Sequence, residues 1–206
     1  MHSTEIAALF VDIGGVLLTN AWDHEARKRV SQQFGLDLDE LQDRHYLTFD
    51  TYEQGKLTLD EYLTRVVFHK PRSFSRDVFR AAMFAQSRPY PDMLQLLRDL
   101  RARYGPKVVA VSNEGRELTA YRVQKFGLVH VIDFFVSSCF VHLRKPDPDI
   151  YRMALDVAQT PLEQVLYIED RDVFVDAARG IGIRSILHIS HQSTKDALAE
   201  VGLGLP

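Results

Sequence analysis

Cysteine is almost missing from this chain. Cys139 stands alone among 206 residues, so no internal disulfide can form. A reducing, cytoplasmic setting is therefore expected rather than secretion. Basic charge is not in excess either: 25 Lys and Arg face 28 Asp and Glu, a formal net charge of -3. A general binder of nucleic acid or anionic membrane carries the opposite balance, so neither partner is expected. A local basic pocket for a small anion remains compatible with that charge. Long apolar runs are lacking as well. The most apolar N-terminal stretch, Ile6–Leu18, has 13 residues and is interrupted by Asp12. It is too short to cross a bilayer, and its carboxylate makes insertion costly. No Lys or Arg precedes it, which argues against a signal peptide. Neither Gly-x-x-x-x-Gly-Lys-Ser/Thr nor a strand-linked Gly-x-Gly-x-x-Gly occurs, which disfavours nucleotide-loop folds. His188 and His191 have no Cys or His partner at zinc spacing. Repeats and low-complexity segments are missing too.

What is present suits one globular domain with a modest insertion: 46% hydrophobic and 26% charged residues. Five short apolar runs read as buried strands: Ala7–Val11, Lys107–Val111, Phe134–Ser137, Val165–Ile168 and Ser185–Ile189. Helical spacing lies between them. Asp92–Arg103 gathers Met93, Leu94, Leu96, Leu97 and Leu100 on one face. Glu117–Phe126, Asp149–Val157 and Phe174–Arg179 read similarly, and a short surface helix is expected after His191. Alternating strands and helices imply a parallel sheet covered on both faces. The first interval breaks the rhythm. Val11 and Lys107 are 96 positions apart, whereas a strand–helix–strand unit needs about 30 residues. The excess predicts a small helical insert over about 20–88, with helices at Arg27–Phe34, Leu38–Tyr46, Asp60–Val67 and Ser75–Phe84. Thr58, Asp60 and Ser75 are plausible helix starts. Residues 1–19 and 89–206 then form the core domain.

Ligands of a parallel sheet bind beyond the carboxyl ends of its strands. The residues found there are Asp12-Ile13-Gly14-Gly15, Ser112-Asn113, Arg144-Lys145-Pro146 and Glu169-Asp170-Arg171-Asp172. In order and spacing these resemble the four motifs of the haloacid dehalogenase superfamily, in its phosphatase-like branch with a helical cap inserted after the first motif. Ala8–Leu17 resembles the strand followed by Asp-x-Asp-Gly. Val108–Asn113 resembles the strand ending in Ser or Thr, Lys145-Pro146 the lysine motif, and Tyr167–Asp170 the acidic pair. Asp176–Gly182 resembles the helix and glycine turn that follow. The resemblance implies a three-layer, Rossmann-like α/β core with about five parallel strands and a helical-bundle cap. It also implies hydrolysis of a small phosphorylated metabolite. Asp12 would be the nucleophile, forming an aspartyl phosphate. Ser112, Asn113 and Lys145 would contact the substrate phosphate. Mg²⁺ would be held by Asp12, the Gly14 carbonyl and Asp170, with Glu169 nearby. Physical reasoning agrees, because a carboxylate approaching a phosphate is repelled by several kcal/mol at about 4 Å unless cations intervene.

Two positions depart from the motifs. The second aspartate of motif one, which moves a proton to and from the reacting oxygens, is Gly14 here. A metal-supporting Asp or Asn expected four residues past Asp170 is Phe174. Acid–base help is worth about 10²–10⁴-fold, so poor leaving groups should react slowly, and Gly14→Asp should raise turnover. Replacement acids are sought in the insert, with Asp23, His24, His45 and Glu53 as candidates. Arg116, Arg144 and Arg171 read as surface or supporting residues, and Trp22 as packing between insert and core. Two other functions compete: a catalytically silent domain binding a phosphorylated ligand or partner, and a metal-independent 2-haloacid dehalogenase. An acidic fourth motif would repel the carboxylate substrate of the latter. A monomer and a homodimer are equally compatible with the sequence.

Overall fold

The computed structural model describes residues 5–205. Its centre is a five-stranded, all-parallel sheet in the order β3-β2-β1-β4-β5. The strands are β1 (Ala8–Val11), β2 (Lys107–Ser112), β3 (Phe134–Ser137), β4 (Val165–Glu169) and β5 (Arg184–Leu187). β1 is buried throughout, as a continuous apolar run between two parallel neighbours should be. It pairs Leu9 with Val108 on one side and with Leu166 on the other.

After β1 the chain forms five helices before it rejoins the layers around the sheet. These are α1 (His24–Phe34), α2 (Leu38–Tyr46), α3 (Phe49–Glu53), α4 (Leu59–Val66) and α5 (Arg76–Phe84). The remaining helices flank the sheet: α6 (Pro91–Tyr104), α7 (Arg116–Lys125), α8 (Ser138–Val141), α9 (Pro148–Ala158), α10 (Asp172–Gly180) and α11 (His191–Glu200). Local chemistry sets their ends. Thr58 and Glu61 form a capping box at α4. Pro91 and Pro148 open α6 and α9, where a missing N–H costs nothing. Gly35 and Gly105 close α1 and α6 in the left-handed conformation.

Pleating divides the core. Leu9 and Val11 point towards α6 and α11, against Met93, Leu97, Leu100 and Leu198. Ala8 and Phe10 point the other way, against Ile150, Tyr151 and Ala154 of α9 and Ala178 of α10. Helices α1–α5 bury a cluster of their own, with Val30, Leu41, Tyr62, Leu63, Phe79 and Met83 at its centre and Leu118 of α7 at its edge. Each such side chain contributes about 1.5–3 kcal/mol of burial, so the segment has its own apolar interior. Trp22 belongs to it. Its indole N–H donates to Tyr62 Oη at 2.8 Å, and its ring meets Phe79 edge-on. Trp22 therefore packs within the insert, and it also lines the cavity shared with the core.

The insert leaves and rejoins the core through a two-strand neck. Thr19 N donates to Arg88 O at 2.8 Å, Tyr90 N to Leu17 O at 2.9 Å, and Thr19 Oγ1 to Gln86 O at 2.7 Å. Element boundaries differ from expectation mainly at the last strand. β5 ends at Leu187, and Ile189 is exposed where the chain turns into Ser190, the N-cap of α11. Helices α3 and α8, of five and four residues, were not expected.

Candidate active site

The order of strand addition reverses at β1: β2 and β3 extend the sheet on one side, β4 and β5 on the other. Ligands of open parallel sheets collect at such a reversal. Asp12 follows β1 immediately, and the acidic pair ends β4 next to it. Asp12 N donates to Ile168 O at 3.0 Å, which carries the ladder one residue past β1 and fixes the carboxylate at the sheet edge.

Lys145 is the electrostatic centre. It is 1% exposed, and its ammonium lies 2.6 Å from Glu169 Oε2, 3.0 Å from Asp12 Oδ1 and 3.2 Å from Tyr167 Oη. Tyr167 Oη also donates to Glu169 Oε2. The second Glu169 oxygen accepts from the main-chain N–H groups of Asp170 and Arg171 at 3.1 and 3.2 Å. Glu169 is thus fully engaged, and it anchors the lysine. Asn113 fixes the lysine from the main chain: its Nδ2 donates to Lys145 O and its Oδ1 accepts from Lys145 N, both at 2.9 Å. Both ends of the Asn113 side-chain amide are used on Lys145. Phe174 lies over the lysine, with Nζ 4.9 Å from the ring centroid.

Burial pushes the Asp12 carboxyl up, to about 6; the neighbouring Glu169 charge adds to the rise and Lys145 opposes it. For Lys145, burial pulls the ammonium down, but Asp12 and Glu169 more than offset this and hold it protonated.

Asp12, Glu169 and Asp170 bring one carboxylate oxygen each within 4.8 Å of one another. Three carboxylates against one lysine leave excess negative charge. Asp170 Oδ1 is buried with no hydrogen-bond partner among the described residues, and the Asp12–Lys145 contact lacks hydrogen-bond angles at Oδ1. Such oxygens suit a hard divalent cation. Asn20 Nδ2 donates to Asp170 Oδ2 at 3.1 Å, so Asn20 holds this carboxylate. Gly15 has φ +80°, and a Cβ there would lie 2.0 Å from Asp170 Oδ2. The approach of Asp170 to the loop requires a glycine. At Gly14 a Cβ would lie 2.6 Å from Asn20 Oδ1 and 3.8 Å from Arg122 Nη1.

Asp12, Gly14, Ser112, Asn113 and Lys145 line a cavity of about 350 Å³. Asp23, His24, His45 and Glu53 line it too. Asp23 is committed to capping α1, accepting from Ala26 N at 2.7 Å, and His24 is half exposed beside Glu25. His45 Nδ1 lies 2.8 Å from Tyr62 Oη. Tyr62 Oη also accepts from the Trp22 indole N–H. Burial, with Arg27 and Arg144 nearby, drives the His45 ring down to about 3. Glu53 faces Arg144 at 2.6 Å; burial raises its carboxyl and Arg144 opposes the rise. Glu114 and Arg122, a buried pair on the same wall, were missed from the sequence. Their contact is local, at i and i+8, but nothing in the residue pattern marks it.

Fold and cluster together define a three-layer α/β protein with an acidic, lysine-centred site at the reversal point of its sheet. A family model described as haloacid dehalogenase-like hydrolase matches residues 6–182. The chain belongs to that hydrolase family. It is 27% identical over 201 residues to a phosphatase of Mycobacterium tuberculosis, covering 94% of this chain and 92% of the relative. It is also 27% identical over 206 residues to a phosphorylated carbohydrates phosphatase of Thermotoga maritima, covering 95% and 91%. A solved structure of a family enzyme from Bacteroides thetaiotaomicron, in complex with magnesium and inorganic phosphate, superposes with a TM-score of 0.77. It is 21% identical, with 91% of this chain and 98% of that chain covered. Among the described residues no helix is long and apolar enough to cross a membrane.

Proposed function

We propose that the chain is a Mg²⁺-dependent phosphomonoester hydrolase of a small phosphorylated metabolite, with helices α1–α5 as a cap over the site. The observation that carries this reading is the Asp12 carboxylate held 3.0 Å from a buried ammonium, beside a second carboxylate with an unpartnered oxygen. An Asp12 oxygen attacks phosphorus, the ester P–O bond breaks, and its electron pair leaves with the alcohol oxygen. Water then attacks the aspartyl phosphate at phosphorus, and the bond to Asp12 breaks to restore the carboxylate. Lys145 reduces repulsion between Asp12 and the incoming dianion, and Ser112 binds a phosphoryl oxygen. Glu169, Tyr167 and Asn113 position Lys145. Asp12, the Gly14 carbonyl and Asp170 would hold Mg²⁺, which supplies further charge neutralisation at the phosphoryl group. The cap excludes water and selects the substrate.

With Gly14 in place of a carboxylate, aryl, acyl and anomeric sugar phosphates should turn over faster than plain alkyl phosphates. The test is phosphate release from p-nitrophenyl phosphate and a sugar phosphate, with and without Mg²⁺. Release that depends on Mg²⁺ and disappears in Asp12→Asn supports the reading; release indifferent to that substitution overturns it. The crowding of Gly14 by Asn20 favours one alternative, a silent domain that binds a phosphorylated ligand. Thermal stabilisation by ligand with no turnover would select it. Halide release from 2-chloropropionate without metal would select dehalogenase chemistry instead.

A further inference from the structure

Glu114 lies two residues past Ser112, on the cavity wall shared with Asp12 and Gly14. Its side chain is 7% exposed. One oxygen, Oε1, accepts from Arg122 Nη1; the other, Oε2, is buried and has no partner among the described residues. Arg122 is itself fixed on three sides. It donates to Glu114, to Thr19 O and, at 3.1 Å, to Ser87 Oγ, so both strands of the neck hold it. The same Nη1 lies 3.8 Å from the point where a side chain at position 14 would begin. Arg122 thus links the Glu114 carboxylate to the space that a motif-one aspartate would enter. The Glu114 main chain is also pinned, its N–H donating to Ser138 Oγ at 3.0 Å.

A carboxylate oxygen left dry and unpaired inside a protein is costly, and such a group at a cavity wall points to a missing partner. Here the cavity is the reaction site. We infer that Glu114 exchanges protons with the leaving oxygen and the attacking water, in the role that Gly14 cannot fill. This rests on the phosphatase reading above. In the first step the Glu114 carboxylic acid gives its proton to the leaving oxygen as the ester P–O bond breaks. In the second, the resulting carboxylate takes a proton from water as that oxygen bonds to phosphorus. The proton count returns to its starting value. Burial raises the Glu114 carboxyl, Arg122 and the nearby Thr119 hydroxyl oppose this, and Asp12 adds to the rise. Tyr52 and Cys139 are the other ionisable groups that sense its charge. The candidates in the cap are otherwise engaged: Asp23 in capping, His45 with Tyr62, and Glu53 with Arg144.

The experiment compares kcat/KM for p-nitrophenyl phosphate and 2-phenylethyl phosphate in the full chain and in Glu114→Gln. The glutamine keeps an acceptor for Arg122 but cannot give up or take a proton in this way. An aryl leaving group needs no proton in the step that kcat/KM reports, whereas an alkyl one does. The expected loss is about 100-fold on the alkyl ester and less than about 3-fold on the aryl ester. A clamp with no chemical role would lower both together, so an unchanged aryl-to-alkyl ratio overturns the proposal. So does a wild type with aryl but no detectable alkyl turnover. Should Glu114→Gln melt well below wild type, Glu114→Asp carries the comparison. It keeps a charge against Arg122 but withdraws the carboxylate by one methylene, and the ratio should widen by at least about tenfold; again, no widening overturns the proposal. Failure of the phosphatase reading looks different: the wild type then releases no Mg²⁺-dependent, Asp12-dependent phosphate from either ester.

Discussion

Asn20 shows how one side chain can both repair and block the site. Its Nδ2 steadies Asp170, while its Oδ1 sits 2.6 Å from the Cβ that Gly14 lacks. Gly14→Asp alone must push Asn20 aside and loosen Asp170. Its Mg²⁺ requirement should rise several-fold even where alkyl turnover improves. The double variant Gly14→Asp with Asn20→Gly frees the space but removes the hold on Asp170. Mg²⁺ titration of phosphate release, paired with Mg²⁺-dependent melting, checks this; unchanged Mg²⁺ affinity in Gly14→Asp would reject the dual role of Asn20. His45 offers a second residue-scale prediction. Its folded value, about 3, lies below the unfolded 6.5, so the unfolded chain binds the extra proton. Stability from this ring is complete above pH 6.5 and falls as pH drops towards 3. At pH 5 the loss is about 2 kcal/mol. Urea unfolding at pH 7.5 and 5 should show His45→Asn losing less than wild type over that interval. An identical loss in both would contradict the buried neutral ring.

At the scale of elements, the seam between α3 and α8 joins the insert to the core. Ser138 Oγ donates to Glu53 O at 2.6 Å, His142 Nδ1 meets Gln54 O at 2.7 Å, and Arg144 pairs with Glu53 and Asp50. Gly55 makes the approach possible. It has φ +68°, and a Cβ there would lie 2.1 Å from Cys139 O, a main-chain atom that cannot swing away. Gly55→Ala should therefore part the seam, costing roughly 1–3 kcal/mol and raising KM more than it lowers kcat. Urea unfolding and steady-state kinetics read both; a variant with wild-type stability and KM would show the seam to be slack. Neither helix was legible beforehand, since four or five residues cannot display a 3.6-residue period. The strands and longer helices were legible because buried parallel strands are written as unbroken apolar runs and amphipathic helices as stripes. The positions of Asp12, Ser112, Lys145 and Asp170 were legible for a related reason: Asp12 and Asp170 directly follow β1 and β4, Ser112 ends β2, and Lys145 lies in the loop after α8, eight residues past β3. Asn20 on Asp170 was not. That contact spans 150 positions and depends on how the neck is placed, which no local pattern encodes.

The whole molecule concentrates negative charge where its two parts meet. Asp12, Glu169 and Asp170 converge beyond the sheet, Glu114 lies on the adjoining wall, and Lys145 and Arg122 oppose them from within. For the metal-free protein the Asp12 contribution has a definite sign. A folded value near 6, above the unfolded 3.8, means that this carboxylate favours folding least once it is ionised, above pH 6. A divalent cation bound between Asp12 and Asp170 reverses that penalty, because it needs the ionised form. Mg²⁺ at about 100 times its Kd should therefore stabilise the protein by about 2.7 kcal/mol at pH 7.5. The gain should shrink at pH 5, where the proton competes for Asp12. Asp170→Asn should lose most of it at both values. Calorimetric melting with Mg²⁺ or EDTA separates these effects from catalysis altogether. A Mg²⁺ shift equal at pH 5 and 7.5, or one surviving Asp170→Asn, would place the cation somewhere other than between these two carboxylates, and would leave their crowding at the sheet edge without the ligand that their geometry calls for.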